Sequence, residues 1–201
     1  MSFLVNLILF ISLSIPALSQ EQDTDFAKKL QEHYKTVKSI SADFTQSKQS
    51  LLFDEALVSK GVFYYEKPDK IRWEQLAPSA NYFILNKEEV IQFDGESVKK
   101  STGLNMQMSI FRQFILSTVD GSILNDPSFE KRFQSKNGEM RISLVPLDKR
   151  MAKRLVKIEL TFDEKTLVLD QLKMYENQDD STEISFTNQK INTSIPASIF
   201  Q

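Results

Sequence analysis

The chain contains no cysteine, one histidine and five glycines in 201 residues, and each shortage closes off a class of chemistry. Without Cys there is no disulfide, no thiolate metal site, no cysteine nucleophile and no lipid attached at an N-terminal cysteine. A lone imidazole cannot supply the two His one helical turn apart that zinc hydrolysis of the common helical type needs. A Ser-His-Asp triad would have to recruit His33, and no Gly-x-Ser-x-Gly elbow is there to present its serine. So few glycines leave little material for a phosphate cradle. Charge of one sign is also missing: 25 Lys+Arg stand against 27 Asp+Glu, a net charge of −2. A dedicated nucleic-acid binder needs a clustered basic excess. An EF-hand loop is absent. The acidic pairs Glu88-Glu89, Asp163-Glu164 and Asp179-Asp180 all fall in predicted turns, where solvated charge accounts for them. The residues therefore point to no catalytic site, metal or cofactor. A cofactor-independent hydrolase built from distant acids ranks last among the readings kept open.

Apolar residues are abundant at 41%, fifteen of them Phe, against 26% charged. This is a globular balance that directs attention to burial. Residues 3–15 form an uncharged apolar stretch, followed by Pro16, the small-residue site Ala17-Leu18-Ser19 and the polar run Gln20-Glu21-Gln22-Asp23. That is the pattern of a secretory signal peptide, and it is short of the ~20 apolar residues of a membrane span. The expectation is cleavage after Ser19, with residues 1–19 as signal peptide and 20–201 as one exported, periplasmic domain. No basic residue precedes the apolar stretch, so an uncleaved signal anchor is the competing reading. No linker-like tract or internal repeat interrupts the rest.

Phe26, Leu30, Tyr34 and Val37 recur at spacings of four, four and three, one face of a helix. His33 sits at the edge of that stripe and reads as a structural or surface histidine. Alternation follows: Ala42 and Phe44, then Val62 and Tyr64 before the Pro68-Asp69 turn, then Ile71 and Trp73. Tyr82–Leu85 and Val90–Phe93 read as a hairpin. Residues 107–118 read as one or two short helices, apolar around most of their circumference. Strands resume at Met140/Ile142/Leu144, Val156/Ile158/Leu160/Phe162, Leu172/Met174 and Ile184/Phe186. Short strands with polar turns predict a curved antiparallel sheet. Lys149, Arg150, Lys153, Arg154 and Lys157 crowd the turn between two strands, suited to anionic headgroups or an acidic partner, or to a solvated loop.

Ser41-Ala42-Asp43-Phe44-Thr45-Gln46, Gly61-Val62-Phe63-Tyr64-Tyr65 and Lys67-Pro68-Asp69-Lys70-Ile71-Arg72-Trp73-Glu74 together resemble the outer-membrane lipoprotein carrier (LolA) family, of which the chain is identified as a divergent member. The resemblance implies an α+β, mainly β fold: an unclosed β-barrel, one curved antiparallel sheet covered by a helical lid. It implies a monomeric, non-enzymatic carrier whose apolar cavity shields the acyl chains of lipoproteins, loaded by an inner-membrane exporter and unloaded by an outer-membrane receptor. With faces assigned by alternation, the lipid-binding lining is expected to comprise Phe44, Val62, Tyr64, Ile71, Trp73, Ile158, Leu160 and Phe162 from the sheet. Met106, Met108, Phe111, Phe114 and Ile115 would come from the lid. Lys67 occupies the position of the family's lid-latching arginine but lacks its planar fork. Arg72, pointing away from Ile71 and Trp73, is weighed beside it as latch or docking residue, with Lys149, Arg150, Lys153 and Arg154 as docking residues. The alternatives are a carrier of another lipid or lipid-linked metabolite, and an exported β-rich interaction module without cargo.

Overall fold

The computed structural model describes residues 17–87, 89–104 and 106–201, with side chains from residue 24 onward except those of residues 106–108, 110 and 111. Residues 1–16 of the expected signal peptide lie outside the described residues.

Helix α1 (Ala17–Thr36) converts the four-four-three spacing into a buried stripe of Phe26, Leu30, Tyr34 and Val37. Asp25, Lys28, Lys29, Glu32 and Lys35 are exposed, and Lys29 and Lys35 pair with Asp25 and Glu32 on the outer face. Six strands follow: β1 (Ser39–Gln49), β2 (Leu57–Glu66), β3 (Lys70–Ala77), β4 (Asn81–Asn86), β5 (Glu89–Phe93) and β6 (Val98–Thr102). Helix α2 (Met106–Val119) and a 3-10 turn (Ser122–Asn125) lead to β7 (Phe129–Lys136), β8 (Glu139–Pro146), β9 (Lys157–Asp163), β10 (Leu169–Tyr175) and β11 (Ser181–Ile191). The chain closes with a 3-10 turn at Ala197–Phe200.

All eleven strands form one antiparallel sheet in the order β6-β5-β4-β3-β2-β1-β11-β10-β9-β8-β7. Two meanders meet where β1 pairs β11, with Phe44 opposite Phe186 and Gln49 opposite Ser181. The edges are β6 and β7, consecutive in sequence and far apart in the sheet. The segment joining them is α2, which makes this helix the bridge across the open side of an unclosed barrel.

One face of the sheet, together with α1 and α2, encloses the main core. Paired residues of an antiparallel sheet share a face, so the register Ala42–Phe63, Phe63–Trp73, Trp73–Phe83 draws one inner row across four strands. The outer row runs through Tyr64, Arg72, Ile84 and Ile91. It also holds apolar residues, because the C-terminal segment covers it: Ile84 and Ile91 pack against Ile195 and Phe200, with Tyr64 and Tyr82 alongside.

That second, covered face corrects the assignment of β2. Val62 and Tyr64 lie on the outer face, and Phe63 and Tyr65, 5% and 3% exposed, are the inner pair. A sheet apolar on both faces gives a strand with aromatic residues at both parities, and alternation alone then cannot choose. Gly61 shares the inner parity. A Cβ there would run into the Glu74 backbone carbonyl and the ring of Phe44, so the glycine lets β3 approach closely and that ring lie across β2 and stack on Trp73 at 4.1 Å.

Candidate functional site

The space between the helices and the inner face is lined by Tyr34 of α1, Ala42, Phe63, Trp73, Leu172 and Phe186 of the sheet, and Ile115, Thr118 and Val119 of α2, with Ile40, Leu169 and Gln189 completing the wall. Its cavity measures about 40 Å³. That is room for a few water molecules at ~10–15 Å³ each, far below the ~300–1,000 Å³ of a ligand-filled pocket. Little free space is left between the described side chains of the helices and the sheet.

Its wall offers almost nothing polar. The Thr118 hydroxyl donates to the Phe114 carbonyl at 2.8 Å, and the Gln189 amide donates to the Leu169 carbonyl at 2.9 Å, so both of these donors are already engaged. Burial holds the Tyr34 hydroxyl far above its ordinary range, with the Leu169 backbone N–H only partly offsetting it. Tyr65, nearby in the core, is pushed up to about 12 by burial, with smaller contributions from Asp120 and Asp69. Neither phenol ionises at neutral pH, and the enclosed surface is uncharged. An uncharged wall made mostly of apolar side chains selects for apolar guests.

The β2–β3 turn touches both covering helices. Lys67 donates from Nζ to the Lys35 carbonyl at 3.3 Å, and its backbone N–H donates to the Lys38 carbonyl at 2.8 Å. An ammonium at the last turn of α1 also meets the negative end of the helix dipole. Two residues on, Asp69 Oδ2 accepts from Arg112 Nη2 of α2 at 2.9 Å, with side-chain exposures of 20% and 26%. The Arg112 Nε is buried without a partner among the described residues, so Asp69 is the anion that holds this guanidinium.

The sequence-derived residues distribute as follows. Trp73 and Ile115 line the cavity; Phe44, Ile71 and Phe114 belong to the core around it. Ile158, Leu160 and Phe162 are on the inner face but almost fully buried, Phe162 against Phe26 of α1 at a ring separation of 6.2 Å. Val62 and Tyr64 are outside. The side chains of Met106, Met108 and Phe111 lie outside the described residues. Arg72 is no part of the lid contacts. From the outer face it pairs with Glu74 at 2.9 Å, donates from Nη1 to the Ile199 carbonyl at 3.0 Å and lies 4.3 Å from the Tyr82 ring centroid. It pins the C-terminal turn. Lys149, Arg150, Lys153 and Arg154 are exposed in the β8–β9 loop, at the end of the sheet opposite the β2–β3 turn. His33 packs edge-on to Tyr34 with its Nε2 unpartnered among the described residues, and burial keeps the imidazole below its ordinary pKa.

Among the described residues no cluster of His, Cys, Asp and Glu could hold a metal ion, and no helix is long and apolar enough to cross a membrane. Arg112 and Phe63 are the site residues that periodicity did not expose. Arg112 is the one charge in an apolar helix, and that isolation was its only signal.

The family model described as outer membrane lipoprotein carrier protein LolA matches residues 35–201. The chain is 22% identical over 177 residues to an outer-membrane lipoprotein carrier protein of Pseudoalteromonas translucida (strain TAC 125), covering 88% of this chain and 82% of that one. Among solved structures, the MucA/MucB complex of Pseudomonas aeruginosa aligns with a TM-score of 0.56 at 15% identity, over 90% of this chain and 60% of the other. The LolA superfamily protein NE2245 of Nitrosomonas europaea aligns at 0.46 and 10% identity, over 89% and 96%.

Proposed function

The chain belongs to the LolA family of outer membrane lipoprotein carrier proteins, and from that premise we propose that it is a non-enzymatic periplasmic carrier that shields the acyl chains of lipoproteins between the inner and outer membranes. In this reading residues 1–19 are removed on export and residues 20–201 act as one domain. An inner-membrane exporter loads it and an outer-membrane receptor relieves it of its cargo. The observation that supports the reading is the wall of the interior, which is uncharged and lined mostly by apolar side chains.

Magnitudes support an enclosed site. A chain of ~16 carbons moved from membrane into water costs on the order of 13 kcal/mol at ~0.8 per methylene. Only burial in protein offsets that, and 40 Å³ holds no such chain. Cargo therefore enters by displacing a cover. Helix α2 is the element suited to move, since it is tied to the β2–β3 turn through the Arg112–Asp69 ion pair and its wall residues are Ile115, Thr118 and Val119. Opening separates these from the inner row of the sheet, and the acyl chain takes their place.

The test is native mass spectrometry of protein purified gently from the periplasm of its own host, with extraction of whatever is released. An acylated protein or peptide near one-to-one supports the lipoprotein cargo. A free lipid or lipid-linked metabolite keeps the carrier and replaces the cargo. An empty protein that also fails to bind purified lipoprotein contradicts the proposal.

A further inference from the structure

The large apolar side chains that remain exposed among the described residues gather at one end of the sheet. Leu51, Leu52 and Phe53 occupy the tip of the β1–β2 hairpin, and Leu147, Met151 and Val156 the β8–β9 loop. Register fixes both at the same rim: Gln49 is opposite Ser181, Ser181 opposite Tyr175, and Tyr175 opposite Lys157. The remaining exposed ones, Leu57, Val58, Leu76 and Val98, begin β2, end β3 and begin β6 at that same rim. The β2–β3 turn that holds the helices is at the other end.

The β8–β9 loop is built rather than slack. Asp148 Oδ1 accepts the backbone N–H groups of Arg150 and Met151 at 2.9 Å each, and the N–H groups of Ala152 and Leu155 donate to the carbonyls of Asp148 and Met151 at 2.9 and 3.0 Å. Leu155 anchors the turn against the core. Lys149, Arg150, Lys153 and Arg154 then project from it, interleaved with the exposed Leu147, Met151 and Val156. The one acid of the loop, Asp148, is occupied with its own backbone and stands 4.0 Å from Arg150.

We propose that this rim docks on an anionic bilayer surface, the β8–β9 loop meeting lipid headgroups with its cations and the β1–β2 tip inserting apolar side chains beside it. Cores of protein interfaces are depleted of charge. Here cations and apolar side chains alternate within ten residues, the arrangement that seats at the boundary between headgroups and acyl chains. The other acids of the strand-to-strand turns on the rim, Asp54, Glu55, Asp94, Glu96, Glu176, Asp179 and Asp180, belong to the β1–β2, β5–β6 and β10–β11 turns. Electrostatic attraction is thus confined to the β8–β9 loop, and the β1–β2 tip contributes through apolar contact alone. The proposal extends the carrier reading without depending on it.

The experiment is co-sedimentation of the full chain with vesicles of phosphatidylethanolamine and phosphatidylglycerol, against vesicles of phosphatidylcholine alone. Each protein is tested in parallel for binding of a fluorescent fatty acid. The variants are K149Q/R150Q/K153Q/R154Q and L51S/L52S/F53S, all on surfaces remote from the interior. Binding to the anionic vesicles should weaken roughly fivefold for each cation removed and fall with added salt. The apolar variant should bind both vesicle types more weakly, without a change in salt dependence. All proteins should keep the fatty-acid probe, which shows that they are folded. Equal vesicle binding by the parent chain and the cation variant overturns the proposal, as does failure of the parent chain to bind anionic vesicles, which would leave the rim to a protein partner. Loss of the probe from every protein with vesicle binding intact would instead overturn the cargo reading alone.

Discussion

Arg112 in the middle of α2 donates to Asp69 in the β2–β3 turn at 2.9 Å across 43 residues of sequence, with both side chains largely withdrawn from solvent. Lys67, two residues before Asp69, holds the last turn of α1. A single three-residue turn, Lys67-Pro68-Asp69, therefore ties down both helices that cover the inner face. Family resemblance pointed to Lys67 as the latch position. The geometry keeps Lys67 on α1 and adds a second tie, with the planar, forked donor on α2 and the anion in the turn.

Removing either partner should loosen the cover. R112A and D69A are each expected to lower unfolding stability by about 1–2 kcal/mol, the range for a charged hydrogen bond partly screened by solvent. Urea denaturation reads this, and the double variant should cost less than the sum of the two. Stopped-flow uptake of a fluorescent fatty acid should accelerate severalfold in both single variants. Additive stabilities with unchanged uptake would mean that the pair is no latch.

Gly61 is a second point of leverage. In G61A the added methyl group meets the Glu74 backbone carbonyl of β3 first and the Phe44 ring next, so the β2–β3 pairing must shift and the ring is forced off Trp73. Overpacking of this kind costs about 1–3 kcal/mol. A changed tryptophan emission spectrum should accompany the loss, because Trp73 is the one tryptophan of the chain. An unshifted spectrum in a protein of parental stability would contradict the stacked arrangement.

His33 gives a pH dependence with a defined sign. Burial lowers its folded pKa below the ordinary 6.5, so the unfolded chain takes up a proton first as pH falls. Its contribution to stability is complete above about pH 7 and is lost as pH drops through 6.5 toward the folded value. Replacing it in H33F should flatten the stability profile as pH falls below about 7. An identical slope in parent and variant would assign the dependence to other groups.

Much of this was legible in the residues. The stripe of α1, the inner parity of β1, β3, β8 and β9 and the outward direction of Arg72 all followed from period. What periodicity could not reach has physical causes. β2 is apolar at both parities because the Ile195–Phe200 segment covers the outer face, a tertiary fact invisible in the strand itself. β6 is the polar Val98-Lys99-Lys100-Ser101-Thr102, exposed throughout and held as an edge by backbone pairing. The Arg112–Asp69 pair joins segments whose proximity depends on α2 bridging the two sheet edges. The basic loop was visible as a charge cluster, but its apolar neighbours became a surface feature only once register brought the β1–β2 tip to the same rim.

The most direct test of the central claim uses Trp73 as its own reporter. The purified protein is titrated with a fatty acid brominated along its chain while tryptophan emission is followed. If acyl chains occupy the space between α2 and the inner face, quenching is saturable, is reversed by the unbrominated acid, and disappears when a bulkier side chain fills the wall in A42L. Binding of the fatty acid without quenching of Trp73 would contradict the account, since the cargo would then lie somewhere other than the interior these residues enclose.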